Sequence, residues 1–324
     1  MASRKLHQCS TPRLSASPLA RLSASPLARL SASPLARLSA VPPLRSPAFP
    51  PPRLSAFPLL RLYAFTPTWY LSGNFEQEIH MKVITAYSHK GGTGKTTALM
   101  MLASAIEARG QSALLVDCDP HQSFKAYQSY SAEADPGVWS DKLDVVFRHY
   151  EATSLTVLEE TLLDADESGK YDFCLLNLAG VDHPFNRHVL RYAELTLVPF
   201  APAALDMMEL PGALNVVREL GESGEVGEVR VVFTKMKSSR SKMNAAQNAY
   251  IESVIEGFPV LKTEIHDTAV LGDLVMRGLL GRAIAAWEGQ ATGLQKMEVM
   301  RLRDALAECE ALLAEAMEVI GEGE

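Results

Sequence analysis

Residues 89–97 read HKGGTGKTT, and they lie between two segments of opposite periodicity. Upstream, KVITAYS at 82–88 is a continuous apolar, β-branched run, the mark of a buried strand. Downstream, Leu99, Leu102, Ala103 and Ile106 recur at i, i+3, i+4 and i+7, one face of a helix that Gly110 stops. Gly91, Gly92 and Gly94 let the backbone between them wrap tightly, with successive N–H groups turned inward and a helix N-terminus behind them. That is an anion cradle. Lys95 is placed to reach the β- and γ-phosphates of a nucleotide, and the Thr96 hydroxyl to face Mg²⁺. A glycine turn with no ligand is the alternative, but strand, loop, Lys-Thr pair and helix coincide. One detail departs from the common phosphate loop, G-x-x-x-x-G-K-[ST]: the first glycine would fall at His89, and an additional lysine, Lys90, follows it.

Further strands are expected at 112–117, 172–177, 195–200 and 229–234, with a last one at 259–265. Helical stretches fall near 154–165, 203–220 and 240–256. A long acidic amphipathic helix over 290–320 carries Leu302, Leu306, Leu313, Met317 and Ile320 on one side. Buried strands alternating with helices imply an α/β fold of three layers, a mainly parallel sheet covered on both faces. No second domain is evident in 81–324.

KGGTGKTT is similar to the deviant Walker A signature, K-G-G-x-G-K-T, of the ParA/MinD family of P-loop ATPases. The match falls at Lys90, Gly91, Gly92, Gly94, Lys95 and Thr96. The resemblance spans about 82–285 and is nearest the ParA-like branch, which includes plasmid-partition proteins and helpers of conjugative DNA transfer. It implies a P-loop NTPase fold, ATP and Mg²⁺ as cofactors, and a homodimer in the ATP state. Lys90 would reach across that dimer to the partner's nucleotide, as an arginine finger does. Gly91, Gly92, Thr93, Gly94, Lys95, Thr96 and Thr97 would hold the phosphates. LLVDCDPHQS (114–123) resembles the family's D-x-D-P-Q segment. By that likeness Asp119 positions the attacking water, and Asp117 joins Thr96 in the Mg²⁺ shell; helix capping is the plainer reading of both acids. Lys90, Lys95 and Asp119 are thus the catalytic candidates. Thr234, Lys235 and Met236 fall where the family borders adenine. The pattern breaks at Asn177, where the family has a metal-shell Asp at a strand end. Weaker Mg²⁺ binding and slower hydrolysis are expected from that change.

Charge narrows the partners. Residues 81–324 hold 22 basic and 36 acidic side chains, a net charge of −14, so the bulk field repels nucleic acid. Lys235, Lys237, Arg240 and Lys242 form the densest basic cluster, which is either a solvated loop or a contact for duplex DNA phosphates. Arg277 and Arg282 are candidates to extend it. The expected activity is a dimerising ATPase, slow and stimulated by a partner protein, that binds DNA without sequence preference and partitions plasmids or chromosomes. The alternative is a nucleotide-switched recruitment scaffold for conjugative transfer or envelope machinery. Membrane cycling is disfavoured because the C-terminus, ALLAEAMEVIGEGE, is acidic and anionic lipid would repel it. No run of 18 apolar residues occurs. Cys9, Cys118, Cys174 and Cys309 are too scattered for a metal or redox motif, as in a reduced cytoplasmic protein.

The first 80 residues differ from the rest. RLSASPLA begins at Arg13 and repeats at Arg21 and Arg29, with proline at every eighth position, which prevents a long helix. Three readings stand: a disordered tail, an organelle transit peptide, or upstream DNA read in frame, with Met81 as the true start. On the third reading, mass spectrometry of the native N-terminus finds a chain beginning at Met81, and a mature protein beginning near Met1 contradicts it.

Overall fold

The computed structural model describes residues 80–321. The repeat segment, with all three readings of it, lies outside these residues. Six strands form one sheet: β1 (Lys82–Ala86), β2 (Ala113–Asp117), β3 (Leu143–Phe147), β4 (Phe173–Asn177), β5 (Leu195–Phe200) and β6 (Glu228–Phe233). Their spatial order is β3-β2-β4-β1-β5-β6, and every neighbouring pair is parallel. The order reverses direction at β1, where crossovers leave to opposite sides. A crevice opens there beyond the carboxyl ends of the strands.

Both faces are covered, because the central strands are apolar on both sides. One face packs α1 (Lys95–Ala108), α2 (Ser123–Glu133), α7 (Ala269–Gly272), α8 (Leu274–Arg277), α9 (Leu280–Glu288) and α10 (Leu294–Val319) against Ile84, Leu115, Phe173, Leu175 and Leu197. The other packs α3 (Leu155–Glu167), α4 (Pro184–Val189), α5 (Ala204–Glu222) and α6 (Ala245–Gly257) against Val83, Val116, Leu176, Val198 and Phe233. In α10, Leu302 and Leu313 are buried, while Leu306, Met317 and Ile320 are half-buried against the same core. Among the described residues no helix is long and apolar enough to cross a membrane.

The reading of the sequence needs correction at three places. The strand at 259–265 does not form. The segment meets β6 through an isolated bridge at Val260, and His266 just beyond it bridges Met236. Leu261 N and Ile265 N donate to the Val231 and Phe233 carbonyls of β6, but Lys262 N and Thr263 N donate to the Glu315 carboxylate of α10 at 2.6 and 2.8 Å, and His266 N, just beyond, donates to Glu308 at 2.8 Å. Glutamates of a distant helix thus shield this sheet edge. The second correction is β3, which carries no sequence expectation. It is the opposite edge, and four of its five residues are only half-buried, so its apolar run is short. The start of α6 also shifts, to Ala245, because Asn244 and Gln247 close a capping box behind a 3₁₀ turn at Arg240–Lys242.

A buried polar chain ties α1, α2 and α9 together. The Tyr127 hydroxyl donates to the Gly278 carbonyl at 3.0 Å and lies 3.0 Å from Ser104 Oγ, which accepts from Leu280 N at 3.2 Å. Tyr127→Phe strands the Gly278 carbonyl without a partner. The expected cost is about 2 kcal/mol, a fall in Tm of roughly 4–8 °C by calorimetry. An unchanged Tm would show that the chain contributes nothing to stability.

Candidate nucleotide-binding site

Strand register sets the floor of the site. Asn177 at the end of β4 is level with Ala86 on one side and Asp117 on the other. The glycine loop leaves β1 at this height and turns into α1 through Gly94, whose φ of 106° only glycine adopts readily. The loop is close-packed from two sides. A Cβ on Gly180, in the turn after β4, would lie 2.6 Å from the Lys90 carbonyl carbon, so the two backbones touch directly. From β6, the Thr234 hydroxyl donates to the Thr93 carbonyl at 2.7 Å, and Lys235 Nζ donates to the Gly92 carbonyl at 2.6 Å. Lys235 adopts a φ of 53°, left-handed and strained for a lysine. Met236 beside it is buried.

The two lysines of the loop have different surroundings. Lys95 is 5% exposed and turns into the loop, donating to Ser88 Oγ at 3.1 Å and to the Lys90 carbonyl at 3.2 Å. Ser88 Oγ also donates to the Lys90 carbonyl and touches the Thr93 hydroxyl, so it anchors the loop. Lys90 points away, to Asp206 Oδ1 on α5 at 2.5 Å, with its side chain 30% exposed. His89 packs edge-on against Tyr87 and lies against α5 at Gly212, where a Cβ would come within 2.9 Å of Nδ1.

On the opposite wall, the Thr96 hydroxyl donates to Asn177 Oδ1 at 3.1 Å, and Asn177 Nδ2 donates to Asp117 Oδ1 at 2.8 Å. Asp117 also accepts from Phe124 N at 2.8 Å and from Asp119 N at 3.2 Å. Burial raises the pKa of Asp117, and these N–H donors oppose that rise. Its carboxylate thus satisfies one N–H in the first turn of α2. Asp119 Oδ1 accepts from His121 N at 2.9 Å and lies 2.6 Å from His121 Nδ1. Thr96, Asn177 and Asp117 offer hard oxygen atoms, which suits Mg²⁺. Among the described residues no group of three or more His, Cys, Asp or Glu side chains could hold a metal.

Gly91 to Thr97, Thr234, Lys235, Asp117 and Asn177 thus meet at one place, at the carboxyl ends of β1, β2, β4 and β6. Sequence reasoning missed Ser88, Gly180 and Asp206 as neighbours of this loop. Two members of the basic cluster are ion-paired, and two donate to neutral oxygens. Arg240 forks onto Glu264 and reaches Glu252, Lys237 pairs with Asp267, and Lys242 donates to Ser238 Oγ. Arg277 and Arg282 are likewise engaged, with Glu298 and Glu107.

Burial lowers the pKa of Lys95 from its ordinary 10.5 to about 8, with Asp119 opposing the shift. The unfolded chain keeps its proton up to the ordinary value and so binds more protons between pH 8 and 10.5. Stability of the nucleotide-free protein therefore gains from this group as pH rises through that window. Lys95→Met removes this rise and increases Tm at pH 7; an unaltered pH profile would mean that Lys95 is not desolvated.

The sequence model of the VirC1 protein family matches residues 81–322. Protein virC1 of Rhizobium rhizogenes is 26% identical over 200 residues, which cover 62% of this chain and 83% of that protein. Protein ParA of Rhizobium radiobacter is 25% identical over 143 residues, or 44% of this chain and 59% of that one. Among solved structures, apo McdA of Cyanothece has a TM-score of 0.52 at 16% identity, over 72% of this chain and all 100% of McdA. An ATP complex of an McdA variant has a TM-score of 0.51 at 15% identity, over 71% of this chain and 98% of the variant. Structural likeness at that identity shows the fold. The family match over 81–322 makes this chain a member of the VirC1 protein family, with the fold of the ParA/MinD-like P-loop proteins.

Proposed function

We propose that this protein is a dimerising ATPase of the ParA type, which in its ATP state holds duplex DNA without sequence preference and partitions plasmids or chromosomes. The observation that carries the reading is the division between the two loop lysines. Lys95 is folded into the loop where its own nucleotide would lie, while Lys90 leaves the loop for Asp206 on α5 and keeps 30% of its side chain exposed. A cation held outside its own loop becomes available to a second protomer when it leaves Asp206. The McdA–ATP complex and the ParA relative support the nucleotide and the cellular role. The family match begins at Met81, which supports one ATPase domain over 81–324 apart from the repeat segment.

On this reading Gly91, Gly92, Thr93, Gly94, Thr96 and Thr97 hold the phosphates through backbone N–H groups and hydroxyls, and bound phosphate keeps Lys95 charged. Thr234 and Lys235 close the loop from the adenine side. Mg²⁺, when bound, neutralises charge building between the β- and γ-phosphates. Thr96 and Asp117 belong to its shell. Asp119 orients the attacking water, and Lys90 exchanges Asp206 for the partner's phosphate oxygens. Lys235, Lys237, Arg240 and Lys242 meet DNA phosphates. The ion pairs of Lys237 and Arg240 weaken the field, so binding is expected to fail at moderate salt. Those same ion pairs, with Asn177, favour a second reading: a recruitment scaffold for conjugative transfer or envelope machinery, which binds ATP and barely hydrolyses it.

Turnover and binding to random-sequence duplex DNA, with ATP, ADP and no nucleotide across a salt series, separate the two. The first reading expects ATP-dependent, salt-sensitive binding. Lys90→Ala should keep ATP binding but lose roughly a thousandfold in turnover, as when an arginine finger is removed. Lys95→Ala should lose ATP binding. Absence of DNA binding in every state would leave the scaffold.

A further inference from the structure

Asn177 stands where the family's pattern has an acid, and it does more than tolerate the change. Both Asn177 and Asp117 are 0% exposed. Chemistry fixes the orientation of the amide: the Asp117 carboxylate can only accept, so Nδ2 must face it at 2.8 Å, which leaves Oδ1 for the Thr96 hydroxyl at 3.1 Å. The result is an unbroken chain from the first turn of α1, through the ends of β4 and β2, to the backbone N–H of Phe124 in α2 and of Asp119. A carboxylate at position 177 would set two anionic oxygens face to face in a buried place. Such a pair needs a cation or a shared proton between it.

We infer that Asn177 is a positioning residue, which assembles the metal side of the site without a metal by bridging Thr96 and Asp117 through an uncharged amide. The inference rests on reading this place as the nucleotide site and concerns its regulation by Mg²⁺. Hydrogen bonds alone link Thr96, Asn177 and Asp117, so Mg²⁺ by itself should leave the stability unchanged and should bind with phosphate oxygens to share.

The test is thermal unfolding of the full chain without nucleotide, in EDTA and in millimolar Mg²⁺. Wild type should melt within about 1 °C in the two buffers. N177D should melt at least about 5 °C lower in EDTA, as expected for an unpaired buried charge, and recover in Mg²⁺. The exchange D117N/N177D again sets one amide against one carboxylate, and should melt within about 2 °C of wild type in EDTA. A residue that merely fills space would not create a Mg²⁺ response. N177D that is as stable as wild type in EDTA overturns the inference, and so does an exchange variant no better than N177D. If N177D does not fold in either buffer, the exchange variant decides in the same way. Binding of a fluorescent ATP analogue is measured in parallel. Its failure would remove the ATP reading and leave the melting result standing.

Discussion

The structure depends on the register of three neighbouring strands. Parallel pairing sets Ala86, Asn177 and Asp117 in one row at the carboxyl edge of the sheet. A shift of one residue would turn Asn177 and Asp117 to the opposite face, because side chains alternate. The apolar runs of β2 and β4, buried on both faces, do not themselves choose between registers. The choice comes from what lies beyond the strand ends. Asp117 reaches Phe124 N, Asn177 reaches Thr96, and Gly180 lets the turn after β4 rest on the backbone of Lys90. Sheet register and site geometry therefore support each other.

Charge is handled with the same economy. An ammonium, Lys95, and a carboxylate, Asp117, are both held nearly out of water. Neither has an oppositely charged partner in hydrogen-bond contact among the described residues; each is held by neutral groups, a hydroxyl and a carbonyl for Lys95, and N–H donors for Asp117. Burial without an ion pair disfavours the charged form, and both pKa shifts run in that direction. A ligand bearing several negative oxygens relieves the penalty on Lys95, so the empty loop is poised for an anion. Lys90 is stabilised differently, by Asp206 in the same chain.

Much of this was legible in the sequence, and the parts that were not share a cause. The glycine loop, five of the six strands and the long final helix are local patterns of apolar residues and turn formers. What escaped depends on contacts far apart in sequence. The 259–265 segment looks like a strand, but Glu315 of α10 takes the N–H groups of Lys262 and Thr263 in its middle. β3 is a half-buried edge, where alternation is weak. Asp206 lies 116 residues from Lys90, and an acid in the first turn of a helix is ordinarily read as a dipole partner. The basic cluster was visible, but the pairing of Arg240 with Glu264 and of Lys237 with Asp267 was not. Asn177 was legible as a departure, yet its hydrogen bonds to Thr96 and Asp117 come only from the adjacency of β4 to β2 and β1.

The central claim is that two copies close around ATP, with Lys90 turned toward the partner. Molar mass by light scattering, with ATP under slow-turnover conditions, with ADP and without nucleotide, tests it most directly. The account predicts a species near twice the 35.3 kDa chain mass with ATP alone, and a monomer otherwise. A monomer in all three conditions, or a dimer indifferent to nucleotide, would contradict it.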